Sequence, residues 1–149
     1  MEPDFEALRE AIGKLRKESL PEWGTMNATR MLTHCNAFIE VSTGAKKVNR
    51  MTRWKGWLIG GIYLQYLRAI KYDIRKLQKN SKTLKIFLNQ SKNDNFEIQM
   101  GQLLKNLEEI ELLNSAKAHH QLYGNIERKR FQKLIHFHTA YHLYQFGLI

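Results

Sequence analysis

From residue 22 to residue 149 this chain contains no proline, its only two being Pro3 and Pro21. A proline inside a helix removes one backbone hydrogen bond and clashes with the preceding turn, so most of this chain is free to form long unbroken helices. The apolar residues use that freedom, recurring at i, i+3, i+4 and i+7, the spacing of one helix face. Phe5, Leu8, Ile12 and Leu15 mark a first helix from about Asp4 to Glu18, with acids at its start and Lys14, Arg16 and Lys17 at its end. Residues 19–24 break it. Asn27 is a good N-cap for a second helix that ends before Gly44 and carries Met31, Cys35, Phe38 and Ile39 on one stripe. Residues 51–79 read as another helical stretch, in which Gly60-Gly61 predicts a bend or a division into two shorter helices. Residues 80–95 are polar and irregular apart from an extended-looking 84–88, and a helix follows over roughly 94–114. Residues 116–125 read as a loop holding His119 and His120, and a last helix runs from about Glu127 to Gly147. Four substantial helices without convincing paired strands predict a single all-α domain over residues 1–149, a helical bundle.

Composition narrows the class of protein. Apolar residues make up 43% of the chain and charged residues 26%, a globular balance and not that of a disordered chain. One cysteine excludes an internal disulfide and fits a reducing compartment. The acidic N-terminus has no apolar signal core, and the most apolar run, Trp57 to Tyr66, is about half of what a membrane span needs. The expectation is a soluble, cytoplasmic protein without a membrane span.

The net charge of +10 is unevenly spread. Between Lys46 and Lys92 stand thirteen Lys or Arg against one acid, Asp73, so this segment carries +12 and the remainder −2. Such density suits nucleic-acid phosphates or an acidic membrane surface or partner, or serves simply as a solvated face. No zinc-knuckle spacing, RNA-recognition signature or Gly-rich phosphate loop accompanies it, and charge alone speaks only to non-specific attraction.

The chemistry-bearing residues are histidines. On the last helix Phe131, Leu134, Ile135, His138, His142, Gln145 and Phe146 share one face, so His138 and His142 lie one turn apart within an apolar stripe. Such a pair can hold one metal ion, or each imidazole can simply be a hydrogen-bonded core residue. His34, one turn after Met31 and one before Phe38, sits in or at the border of the second helix's inward stripe. In an antiparallel bundle the three imidazoles can converge, leaving open coordination positions as catalytic metal sites do. Imidazoles suit Zn²⁺, Ni²⁺, Fe²⁺ or Cu²⁺; zinc or nickel is the first expectation, with iron or manganese behind. Cys35 points about 100° away from His34 around the helix and reads as a small buried residue. His136 falls on the opposite face from His138 and is expected in solvent. Glu40, Tyr63, Glu97 and Tyr141 are acid or base candidates by residue type alone, and Trp54 and Trp57 read as core or interface.

Two segments carry a resemblance. Trp23-Gly24-Thr25-Met26-Asn27-Ala28-Thr29-Arg30-Met31-Leu32-Thr33-His34 resembles the WGxMxxxQMLxH segment of one branch of the DinB-like (DinB/YfiT) metalloprotein superfamily. His138-Thr139-Ala140-Tyr141-His142-Leu143-Tyr144-Gln145-Phe146-Gly147 is similar to that branch's HxxxHHLxQFG ending. The resemblance implies a four-helix bundle, a divalent metal on His34, His138 and His142, frequent homodimers, and activities that include metal-dependent hydrolysis and thiol transfer. Arg30 stands where the branch has glutamine, and Thr139-Ala140-Tyr141 replaces a stretch that often carries an acid and a further histidine. If that acid orients a ligand, Gln145 or a backbone carbonyl must take over its role. The basic 46–92 segment, an extra helical or irregular insert, is no part of the branch's pattern. Two expectations follow: a divalent-metal-dependent hydrolase or thiol transferase acting on a small molecule, or a non-catalytic module that contacts nucleic acid or another polyanion through residues 46–92.

Overall fold

In the computed structural model, residues 3–80 and 95–149 are described. Most of the core comes from α1 (Phe5–Lys14), α2 (Ala28–Thr43), α4 (Phe96–Glu111) and α5 (Arg128–Gln145). A further helix, α3 (Arg50–Ala69), and a two-stranded hairpin, β1 (Lys117–His120) and β2 (Gly124–Glu127), complete the described elements. The chain is mostly helical.

Local chemistry explains where the helices start. Asp4, Asn27, Asn49 and Asn95 each accept a hydrogen bond from the backbone N–H three residues ahead, supplying a partner to an end that the helix itself cannot satisfy. The α1 helix stops at Lys14, short of the expected Glu18, because Leu15 turns to extended backbone and its side chain enters the core. Phe5, Leu8 and Ile12 of α1 meet Leu103, Leu107 and Ile110 of α4 and Phe131, Leu134 and Ile135 of α5 in one apolar cluster. The α2 helix runs through the middle, buried on nearly every side, and a polar bridge ties it to α4. In that bridge Asn36 Nδ2 donates to the Gln99 carbonyl oxygen at 2.9 Å, and Asn106 Nδ2 donates to Asn36 Oδ1 at 3.0 Å. Each of these buried amides therefore has a partner, as burial of a polar group requires.

Further expectations change. The loop expected over 116–125 is instead most of a hairpin: β1 and β2 pair antiparallel, with Ala118 opposite Ile126 and His120 opposite Gly124. Nor does Gly60-Gly61 break α3, which is continuous from Arg50 to Ala69. A Cβ at Gly60 would lie within van der Waals overlap of the Tyr123 ring, and one at Gly56 would meet Leu122 Cβ at 2.9 Å. These glycines let α3 sit directly on the hairpin turn. The helical stretch then ends at Ala69 and not near residue 79; Lys71 and Tyr72 both take positive φ (55°), and a 3₁₀ turn follows over Ile74–Lys76. Trp54 and Trp57, expected in core or interface, are exposed, which removes only the core reading. The irregular stretch expected over 80–95 lies, but for its first and last residues, outside the described residues, as do Lys82, Lys85 and Lys92 of the basic segment. Among the described residues no helix is long and apolar enough to cross a membrane.

Candidate metal centre

The α2 and α5 helices bring His34, His138 and His142 together. Their ring centroids form a triangle with sides of 4.6 Å (His34–His142), 4.8 Å (His138–His142) and 5.0 Å (His34–His138). One nitrogen from each ring lies within 4.8 Å of the others, and His34 Nε2 stands 3.1 Å from His138 Nε2. Two nitrogens bound at about 2.0–2.1 Å to one tetrahedral ion sit roughly 3.3 Å apart. The His34–His138 separation therefore fits a shared divalent ion.

The surroundings hold the rings in place. Gln145, one turn below His142, donates from Nε2 to the Trp23 carbonyl oxygen at 2.7 Å, which fixes its amide. Its Oε1 then accepts from His142 Nδ1–H at 3.1 Å, leaving Nε2 as the lone-pair nitrogen of His142. The Gln145 side chain thus makes the contact that a carboxylate makes to many metal-binding histidines. His138 is held differently: its ring stacks on Phe38 at 3.7 Å with planes 7° apart, and its Nδ1 has no hydrogen-bond partner among the described residues. Tyr141 packs edge-on against His142 at 5.4 Å, and its hydroxyl donates to the Gln78 carbonyl oxygen at 3.3 Å.

Burial and mutual proximity disfavour the charged form of His138 and of His142. Desolvation, then the facing His34, pushes His142 down to about 3 against the smaller upward pull of Gln145. Desolvation, followed by His142 and His34, holds His138 well below the usual histidine range. Neutral imidazole is the ligating form, so at neutral pH these two rings need lose no proton to bind a cation.

Residues 1–147 match the family described as "Protein of unknown function (DUF1569)". The chain belongs to that family. No curated protein and no solved structure matches it.

The remaining candidates of this DUF1569 chain fall outside the triangle. No carboxylate or thiol joins the three histidines among the described residues. Cys35 is fully buried beside Met31 Sδ at 3.8 Å, and burial pushes its thiol up, so it is an inert core residue. His136 is not free in solvent as expected: it is half-buried, Nε2 bonds the Asp4 carbonyl oxygen at 3.2 Å, and its ring meets Phe5 edge-on. His119 is exposed against Asn125, whereas His120 is buried, with Nδ1 accepting from Leu122 N–H at 3.1 Å. Glu40 lines a polar cleft of about 530 Å³ between α2 and α4 that no histidine borders, and Glu97 is exposed at the start of α4. Burial pushes the Tyr63 hydroxyl up to about 12, making it a proton donor and not a base at neutral pH. Sequence reasoning missed Phe38 as the support of His138, although Phe38 stands one helical turn after His34 on the same stripe. The Trp23 carbonyl left no sequence signal, because backbone groups carry none.

Proposed function

We propose that this protein is a DinB-like four-helix metalloprotein in which His34, His138 and His142 hold one divalent cation, zinc or nickel first, and that it is a metal-dependent hydrolase or thiol transferase. The observation that carries the reading is the triangle of three converging imidazoles with His34 Nε2 and His138 Nε2 only 3.1 Å apart. Three protein ligands leave room for an exogenous one, the arrangement of catalytic and not structural sites. A divalent ion there would lower the pKa of a water or thiol bound beside the histidines, so that hydroxide or thiolate is present near neutral pH.

The chain's own residues supply orientation and dryness. Gln145 holds the His142 tautomer, Phe38 fixes the His138 plane, and the rings of Trp23 and Tyr141 wall the α5 side. With no carboxylate in the cluster, three neutral ligands leave the full positive charge of the cation to polarise what binds there. The resemblance to the DinB-like branch supplies the reaction names, the small-molecule substrate with a thiol as first choice, and a homodimer.

Turnover tests the enzyme reading. Chelator-treated protein and protein reloaded with zinc or nickel are assayed on thiol plus electrophile pairs and on ester and amide substrates. Reloading should restore activity in the wild type and not in His138→Ala. Activity indifferent to chelation, or none after reloading, would refute a metal-dependent enzyme.

A further inference from the structure

Among the described residues, the α3 helix turns one face to the hairpin and leaves the other exposed. Gly56 and Gly60 rest on Leu122 and Tyr123, and Leu64 and Leu67 are buried on the same side. Around the far side, Met51, Trp54, Leu58 and Ile62 follow at spacings of three, four and four, one continuous stripe. These side chains are exposed, Trp54 at 62% and Ile62 at 71%. A helix that is apolar on both faces needs a second apolar environment. Around the stripe the charge has one sign. Residues 46–80 carry ten Lys or Arg and a single acid, Asp73, whose carboxylate is already bonded to Arg75 at 2.9 Å. Arg50, Arg53, Lys55 and Arg68 on α3 itself are all exposed.

We propose that α3 is an interfacial helix that lays Met51, Trp54, Leu58 and Ile62 into the surface of an anionic phospholipid bilayer. Its charge and its hydrocarbon call for different things, and such a surface offers both: phosphate headgroups for the cations and acyl chains for the stripe. Nucleic acid would satisfy the cations but offers no hydrocarbon to Leu58 and Ile62. A second copy would cover the stripe but set the same cationic rim against itself. The tryptophans Trp54 and Trp57 favour the lipid, since indole settles at headgroup level with its ring toward the chains. Twenty helical residues lie flat over about 30 Å, and Lys55, within the stripe, can reach its ammonium back to the phosphates along its flexible stem. Because no described helix is apolar enough to span, the contact is with the surface.

The test is sedimentation of the full, untagged chain with vesicles of phosphatidylglycerol or of phosphatidylcholine, alongside its tryptophan emission. Wild type should sediment with phosphatidylglycerol and not phosphatidylcholine, its emission shifting to the blue, and added salt should release it. The exposed-site variant Trp54→Glu/Ile62→Glu should bind at least roughly tenfold more weakly, with helical circular dichroism and metal content unchanged. The second variant, Arg53→Glu/Lys55→Glu, should lose binding as well, so the proposal does not rest on one folded mutant. No sedimentation of wild type at low salt overturns it, as does wild-type binding by either variant. Retention by duplex DNA in place of vesicles, or a dimer that only the Trp54→Glu/Ile62→Glu change dissolves without any vesicle binding, overturns it in favour of those partners.

Discussion

Gln145 joins the metal centre to the chain N-terminal to α2: one end of its amide accepts from His142 and the other donates to Trp23. Gln145→Leu keeps the volume and removes both bonds. We expect it to fold and to bind zinc about 10–100-fold more weakly, the usual cost of losing a ligand's orienting partner, as read by competition with a chromophoric chelator. That His34, His138 and His142 come together was legible because helical spacing assigns a histidine to a face, and a contact from Gln145 could be anticipated once no acid stood at 139–141. The roles of Phe38 and Trp23 depend on how α2 and the turn before it meet α5, which spacing within one segment does not encode. His120 gives a second residue-level prediction. Burial, then His119, pushes it down to about 3 from an ordinary 6.5. The unfolded chain therefore binds a proton between these values that the folded chain refuses. The stability from neutral His120 is complete above pH 6.5 and lost as pH falls toward 3, by about 1.4 kcal/mol per unit for one proton. The pair His138 and His142 adds to the same trend in metal-free protein. His120→Asn retains an acceptor for Leu122 N–H, so urea midpoints should be lower at pH 7 yet fall less steeply between pH 6 and 4, within the window set by that shift.

At the scale of elements, the two neighbouring glycines of α3 separate close packing from flexibility. Gly60→Ala places a methyl inside the Tyr123 ring and should destabilise by about 1–3 kcal/mol, as overpacking does. Gly61 has no heavy atom within 4 Å of its added Cβ, so Gly61→Ala should stabilise by about 0.5–1 kcal/mol through helix propensity. Denaturant unfolding of both variants checks the pair; equal effects would mean that α3 does not rest on the hairpin. The sequence could not separate these glycines, because a helix-weakening residue and a close-packing one are the same residue. The hairpin was hidden for a related reason. Lys117–His120 and Gly124–Glu127 are four residues each, too short for alternation to register, and their partner surface is α2 and α5. The helix that follows Asn27 was legible because an asparagine cap works locally, whatever the rest of the chain does.

For the whole molecule, a cation on His34, His138 and His142 would link metal binding to folding. His34 and His138 stand 104 residues apart in the chain, so the unfolded chain would have no site and an ion bound between them would add directly to folded stability. Saturating zinc at about 100 times its Kd should add about 2.7 kcal/mol to unfolding free energy, measured as a shift in urea midpoint that His34→Ala abolishes. The mostly helical character was legible from proline placement and helical period, since both act at every position. How α3 is presented was not, because that depends on which of two apolar faces the hairpin takes. The central claim, that three histidines hold one cation, is tested most directly by elemental analysis of untagged protein dialysed after loading with zinc or nickel. Wild type should retain about one ion per chain, and His34→Ala and His142→Ala should each lose most of it, because a three-ligand site cannot spare one. Full retention by both variants, or none by the wild type, would contradict the account.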